Sequence, residues 1–298
     1  MKHTAAITFL IAVLCLGCRP PSEQRVAYIT TINPLRAIVA ELVGDRGEVS
    51  ELLAPGASPH TYEPRPSDAM AAESALAVFY AAEDIDAWAA KLPAKTRIEM
   101  FSLVPASDRI EYDADGEHDD HDEDGHHHET GYNGHFWSDP RIVSAIIPNL
   151  VEKLIELDPA GADTYRNNAS RFSAELNELD SEMKSAFAGL ENRPVFMFHP
   201  SWSYFMRRYG LTVGGMVEPF PGKEPTPKYI DELVDAARAK GVRAVFTEPQ
   251  LPRRPAEVIA EACQLSLFEL DPNGGGEGRR TYRELITYNA DMLKKALQ

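Results

Sequence analysis

Apolar positions come as short runs that alternate with stretches of helical periodicity, an alternation that predicts an α/β fold. The first run, 26–30, reads as a strand. Asn33-Pro34 then supplies an N-cap and a first-turn proline for a helix that ends near Gly44. Residues 76–81 and 97–101 are further strand candidates, and Asp139-Pro140 opens a helix through Glu156. Asp158-Pro159 repeats the same cap chemistry at the start of a much longer pattern.

In that pattern Tyr165, Ala169, Phe172, Leu176, Leu179, Met183, Phe187 and Leu190 recur at three- and four-residue steps, with no Gly or Pro from Tyr165 until Gly189. About 32 residues at 1.5 Å each span roughly 48 Å, enough to join two lobes rigidly. A coiled-coil arm is the competing reading, and about four heptads are few for one. Beyond it the alternation resumes, with strands at 195–198, 211–216, 242–247 and 265–270 and helices from Ser201, over 227–240, over 255–263 and from Tyr282. The expected organisation is an N-terminal α/β lobe over 26–157, a linking helix over 158–190 and a C-terminal α/β lobe over 191–298.

The composition supports a folded chain: 298 residues, 44% hydrophobic and 26% charged, suffice for two lobes with one or two cores. Thirty Lys and Arg against 46 Asp and Glu give a net charge of -16, which repels phosphate backbones and removes nucleic acid from the expected partners. Ten of those acids lie between Glu111 and Thr130, where there is no Lys or Arg, so the remainder carries only -6. The acidity is local.

Residues 1–17 start with Lys2 and carry an apolar run from Ala5 to Leu16, shorter than the ~20 residues of a spanning helix, and read as an export signal. The signal ends in Leu14-Cys15-Leu16-Gly17-Cys18, where a small residue directly before a Cys resembles the lipobox of bacterial lipoproteins. Cys18 is then the expected lipidation site, with ordinary signal cleavage as the alternative, and 18–25 a short tether holding the protein at the periplasmic or cell-surface face of a membrane. Lipidation would leave Cys263 unpaired, so no disulfide framework is expected, and its apolar surroundings mark it as a buried small hydrophobe.

Of nine His, five (His118, His121, His126, His127 and His128) fall in the acidic run and His3 in the signal, leaving three. His60 lies in a proline-rich loop, His135 just before the helix opened by Asp139-Pro140, and His199 directly after a strand. Asp271 also directly follows a strand, and the carboxyl ends of strands are where open α/β sheets bind ligands. A single His at a strand end is commonly a hydrogen-bonded structural residue. Three imidazoles and one carboxylate together have the composition of a tetrahedral zinc shell. No pair has a short ligand interval such as His-x-x-x-His, so spacing leaves their convergence open.

At these residues the sequence resembles the zinc- and manganese-binding solute-binding proteins of bacterial ABC transporters, the cluster called A-I. Pro59-His60-Thr61-Tyr62-Glu63-Pro64 with Ser67-Asp68 is similar to the family's first ligand loop, and His135-Phe136-Trp137-Ser138-Asp139-Pro140 to its second. Phe198-His199-Pro200-Ser201-Trp202 resembles the third, and Phe246-Thr247-Glu248-Pro249-Gln250 and Leu270-Asp271-Pro272 the closing motifs. Departures are Tyr132-Asn133-Gly134 where many members carry Asp-Pro, and Pro200 in place of a common Asp; neither removes a ligand. The resemblance implies two lobes, each with a four-stranded parallel sheet, joined by one long helix. It also implies His60, His135, His199 and Asp271 as metal ligands and delivery of the metal to an ABC permease without catalysis.

Zn2+ is the expected cargo, because family members that take Mn2+ typically place Glu where this chain has His199. The run 113–130 reads as a flexible, solvated loop whose five His add weak metal sites. Glu248 is a candidate acceptor that orients a ligand His, and Trp137 and Trp202 read as packing that keeps the site dry. A zinc hydrolase would need an open coordination position and a general base; His-Glu-x-x-His and G-x-S-x-G are both absent, so no enzyme is expected. A manganese receptor of the same family and a zinc buffer or chaperone without a permease are the remaining rivals, and a monomer is the expected state.

Overall fold

The computed structural model describes residues 26–112 and 131–298. The expected signal over 1–17, the tether over 18–25 with Cys18, and His118, His121, His126, His127 and His128 lie outside the described residues.

The first lobe runs β1 (Val26–Thr30), α1 (Asn33–Val43), β2 (Gly47–Glu51), α2 (Pro66–Ser74), β3 (Ala77–Tyr80), α3 (Glu83–Asp86), β4 (Arg97–Glu99) and α4 (Pro140–Leu157). Its four strands pair in parallel in the order β2-β1-β3-β4. After the long helix α5 (Ala162–Phe187) come β5 (Val195–Met197), α6 (Ser203–Arg208), β6 (Val213–Met216), α7 (Pro227–Lys240), β7 (Ala244–Thr247), α8 (Arg254–Cys263), β8 (Ser266–Glu269) and α9 (Tyr282–Leu297). The second sheet repeats the topology in the order β6-β5-β7-β8. Each sheet begins on an inner strand, steps outward and crosses back, so a crevice opens at the carboxyl ends of β1 and β3 and again at those of β5 and β7.

The inner strands are apolar on both faces, as parallel strands covered on both sides require: Val195, Phe196 and Met197 are buried without a gap, as are Ala244, Val245, Phe246 and Thr247. Asp139 caps α4 by accepting the Arg141 amide, and Thr226 caps α7 by accepting that of Tyr229. Two helix starts differ from the cap rules. Asn33 is the first residue of α1, not its cap, and its amide group instead donates to the carbonyls of Asn273 and Arg279, 3.2 Å away in each case. Asp158 receives Arg46 through two bonds of 2.7 and 2.8 Å and the Tyr165 hydroxyl at 2.6 Å, and α5 begins only after a 3-10 turn over Pro159–Gly161.

The linking helix is therefore 26 residues long, shorter than the span 158–190, and closes before Gly189, whose φ of 81° takes the chain out of helical geometry. Its apolar stripe is buried in one continuous core that includes Leu35 and Ile38 of α1, Ile146 of α4, Val195 of β5, Phe205 of α6 and Leu293 of α9. Asp180, on the same helix, takes Arg208 through bonds of 2.9 and 2.8 Å and so ties α5 to α6. The two lobes thus share one core. A second cluster fills the other face of the second sheet, and Cys263 packs half-buried against it.

Leu176 sits in this common core with no exposure. Leu176→Ala is expected to cost about 2–5 kcal/mol of unfolding free energy in denaturant titration, the range for deleting a buried leucine. A loss below ~1 kcal/mol would show that α5 is not the shared core element.

Candidate metal centre

His60, His135 and His199 arrive from three distant stretches and meet between the lobes, where their nitrogens form the group of potential metal ligands found among the described residues, all within 4.8 Å of one another. Each is seated by different local structure. His60 lies in a 3-10 turn, Pro59–Thr61, pinned by the Trp88 indole, which donates to the Pro59 carbonyl at 2.9 Å. His135 precedes the turn Phe136–Ser138 that leads into α4. Gly134 before it is sterically required, since a Cβ there would stand 2.4 Å from Asp84 Oδ1 and 2.5 Å from Ala82 Cβ. His199 emerges at the carboxyl end of β5, at the crevice of the second sheet.

The outer nitrogen of every ring faces an oxygen acceptor. His60 Nδ1 is 3.1 Å from the Asp84 carbonyl, His135 Nδ1 is 2.8 Å from Asn133 Oδ1, and His199 Nδ1 is 2.5 Å from Glu248 Oε2. Asn133 Oδ1 also accepts the His135 amide at 2.9 Å, and Ser201 donates to the other Glu248 oxygen at 2.8 Å, so these acceptors are themselves oriented. Acceptors at Nδ1 of His60 and His135 favour the proton there and leave Nε2 for the interior. The inner nitrogens converge: His135 and His199 Nε2 are 3.2 Å apart, and His60 Nε2 is buried without a hydrogen-bond partner.

Burial, and secondarily the neighbouring His199, lowers the His60 pKa to about 3 and holds that of His135 well below the usual value. Both rings are neutral at physiological pH, the protonation state a metal ligand needs. They line an enclosed cavity, shared with Glu248 and Gln250, of about 10 Å³, the space of one water-sized body. Three converging imidazole nitrogens in so small a chamber suit a single borderline-soft divalent cation and exclude an organic solute.

Asp271 stands outside the three-His group. Its Oδ1 accepts Gln250 Nε2 at 2.7 Å and the amides of Asn273 and Gly274 at 3.2 and 2.9 Å, and its Oδ2 pairs with Arg279 at 3.1 Å. Glu248 stands against His199, where an acceptor orienting a ligand would stand. Trp137 and Trp202 are buried, and the Trp137 indole bridges the lobes by donating to the Pro272 carbonyl at 2.9 Å. Sequence reasoning missed Asp84, Gln250 and Arg279, and it noted Asn133 only as a departure from a motif. The Asn133 side chain in fact joins the lobes, with its Nδ2 donating to the Pro200 carbonyl at 2.8 Å. The one available signal was an Asn two residues before a candidate ligand, since the other three act through contacts distant in sequence or through a backbone carbonyl.

The neutral state of His60 has a consequence for stability. The unfolded chain protonates this residue near ~6.5, whereas the folded chain resists protonation until about 3. Between those values the unfolded state binds more protons, so acidification through the window removes stability from the metal-free protein. His60→Gln is expected to flatten the dependence of unfolding free energy on pH across that window, measured by denaturant titration at a series of pH values. An unchanged slope would mean that His60 is accessible and titrates normally.

The chain matches the family described as ZnuA, zinc-uptake complex component A, periplasmic, over residues 29–296. It is 28% identical, over 333 aligned positions covering 100% of this chain and 99% of the relative, to the high-affinity zinc uptake system protein ZnuA of Brucella abortus. The protein of the same name from Yersinia pestis is 27% identical, with 90% of this chain and 89% of that protein covered. A crystal structure of ZnuA superposes with a TM-score of 0.79 at 24% identity, covering 92% of this chain and 100% of that one. The periplasmic zinc-binding protein TroA of Treponema pallidum superposes with a TM-score of 0.78 at 20% identity, covering 92% and 99% of the two chains. At these identities the two superpositions speak to the fold, two α/β lobes with a linking helix, and the family match, which runs through nearly the whole described length, shows that the chain belongs to the ZnuA family of periplasmic zinc-uptake components.

Proposed function

We propose that this chain is an extracytoplasmic receptor that captures Zn2+ with His60, His135, His199 and Asp271 and delivers it to an ABC permease. The family is one of solute-binding receptors, so capture and release, not turnover, is the activity to explain. The observation that carries the reading is the cluster of three imidazoles, each with an oxygen acceptor beside its outer nitrogen and all converging on one small chamber. Orienting partners of this kind raise ligand basicity and fix the ring for the metal. Nitrogen donors favour zinc over manganese, which prefers oxygen and a higher coordination number. Asp271 completes four ligands by turning its carboxylate toward the cluster. Among the described residues no helix is long and apolar enough to cross a membrane, and a lipid on Cys18 would supply the anchor.

The weak sites of the run 113–128 are separable from the tight one. The chain enters and leaves this region side by side, with Glu111 bridged to Tyr132 and the Tyr112 amide donating to the Gly131 carbonyl at 2.9 Å, so a short turn can replace it. Deletion of 113–128 is expected to leave one tightly bound zinc in equilibrium titration. His135→Ala in the same background should weaken that binding by more than about 100-fold, and Glu248→Gln by roughly 10- to 100-fold. A stoichiometry near zero after the deletion alone would place the tight site in the loop and end the proposal. For the anchor, Cys18→Ser should move the protein from the membrane to the soluble fraction of lysed cells without altering zinc affinity. A wild-type protein found wholly soluble would mean ordinary signal cleavage.

A further inference from the structure

We propose that Arg279 is a latch on Asp271: its guanidinium competes with the metal for the one carboxylate oxygen that has room for it, and so sets how readily the site releases its ion. The inference rests on the reading of Asp271 as the fourth ligand. Asp271 leaves β8 with its backbone fixed by Asn289, which accepts the Asp271 amide at 2.7 Å and donates to its carbonyl at 3.0 Å. The side chain, not the backbone, carries the contacts that an ion could exchange. Oδ1 already accepts from Gln250 Nε2 and from two backbone amides, which saturates it. Oδ2 is the oxygen with spare capacity, and Arg279 Nη1 stands 3.1 Å from it.

Arg279 is placed for an exchange. It ends the Gly-rich segment after Asp271, and its backbone is held independently of its side chain: its carbonyl accepts the Gly275 amide at 2.9 Å and its amide donates to Gly276 at 3.1 Å. The guanidinium lies 4.7 Å over the Tyr288 ring, and its side chain is 23% exposed against 5% for Asp271. Its Nε is buried without a hydrogen bond, so the group is not locked in place on its inner side. A guanidinium and a divalent cation repel each other and cannot share one oxygen at low cost. When the metal takes Oδ2, the guanidinium swings toward water. When the metal leaves, the ion pair re-forms and removes the fourth ligand from the cluster. The ion pair is thereby subtracted from the binding free energy, which suits a receptor that must let go.

The test uses the full chain with less than one equivalent of zinc, so that the tight site alone fills, and a chelator to read affinity and release rate. Arg279→Gln should bind zinc about fivefold more tightly, the upper range for an accessible ion pair, and release it more slowly. Arg279→Lys keeps the charge and should stay near wild type. Asp271→Asn should weaken binding, and Arg279→Gln added to it should change nothing further. Tyr288→Leu loosens the guanidinium without touching Asp271 and should shift affinity in the same direction as Arg279→Gln, which keeps the test open if the latter folds poorly. Affinity unchanged or weakened in both Arg279→Gln and Tyr288→Leu overturns the latch. Affinity unchanged in Asp271→Asn overturns instead the assignment of Asp271 as a ligand.

Discussion

Three imidazoles, those of His60, His135 and His199, converge on one small chamber, and most of what surrounds them keeps that arrangement from relaxing. His135 and His199 Nε2 stand 3.2 Å apart. Burial makes protonation of His60 and His135 costly, and the Asp84 carbonyl, Asn133 Oδ1 and Glu248 Oε2 each stand beside an outer nitrogen and orient its ring. A divalent cation in the chamber would meet three nitrogen donors already held in place.

Bringing three rings from distant stretches to one chamber requires a common frame, and the shared core supplies it. The α5 helix is buried against both lobes, tied to the second by the Asp180–Arg208 pair, while Arg46 and Tyr165 grip Asp158 just before it begins. Asn133 and Trp137 cross from the first lobe to the Pro200 and Pro272 carbonyls of the second, so the same loop that carries His135 also fixes the distance to His199. Rigidity in the core lets the loops be short and specific. Within that frame the Asp271 carboxylate is held by Gln250 and Arg279, partners that can exchange.

The two halves of the proposed ligand set differ in physical character. The imidazoles are already oriented, so they would give affinity at small reorganisation cost. The Asp271 carboxylate is already paired with Arg279, so it would contribute only what is left after that ion pair breaks.

Much of the fold was legible from local rules. Long buried runs such as Ala244–Thr247, the Asp139 and Thr226 caps, and the stripe of α5 are decided by the residues within them. The failures are equally local. The edge strand β2, Gly47–Glu51, is half-buried and mixed in polarity, and α2 buries only Asp68 and Ala72, so neither carries a strong period. The candidate ligands His60, His135 and His199 could be named because they are the His left outside the signal and the acidic run, and Asp271 because it directly follows a strand and sits in a motif that resembles the family's. What surrounds each one could not. His199 meets Glu248, Asn133 reaches Pro200 across 67 residues, and Asn33 leaves its expected cap position to hold carbonyls 240 and 246 positions away. A sequence records which groups can bond, but a hydrogen bond reaches about 3 Å, and only the packing of the two lobes through a common core decides which groups come that close.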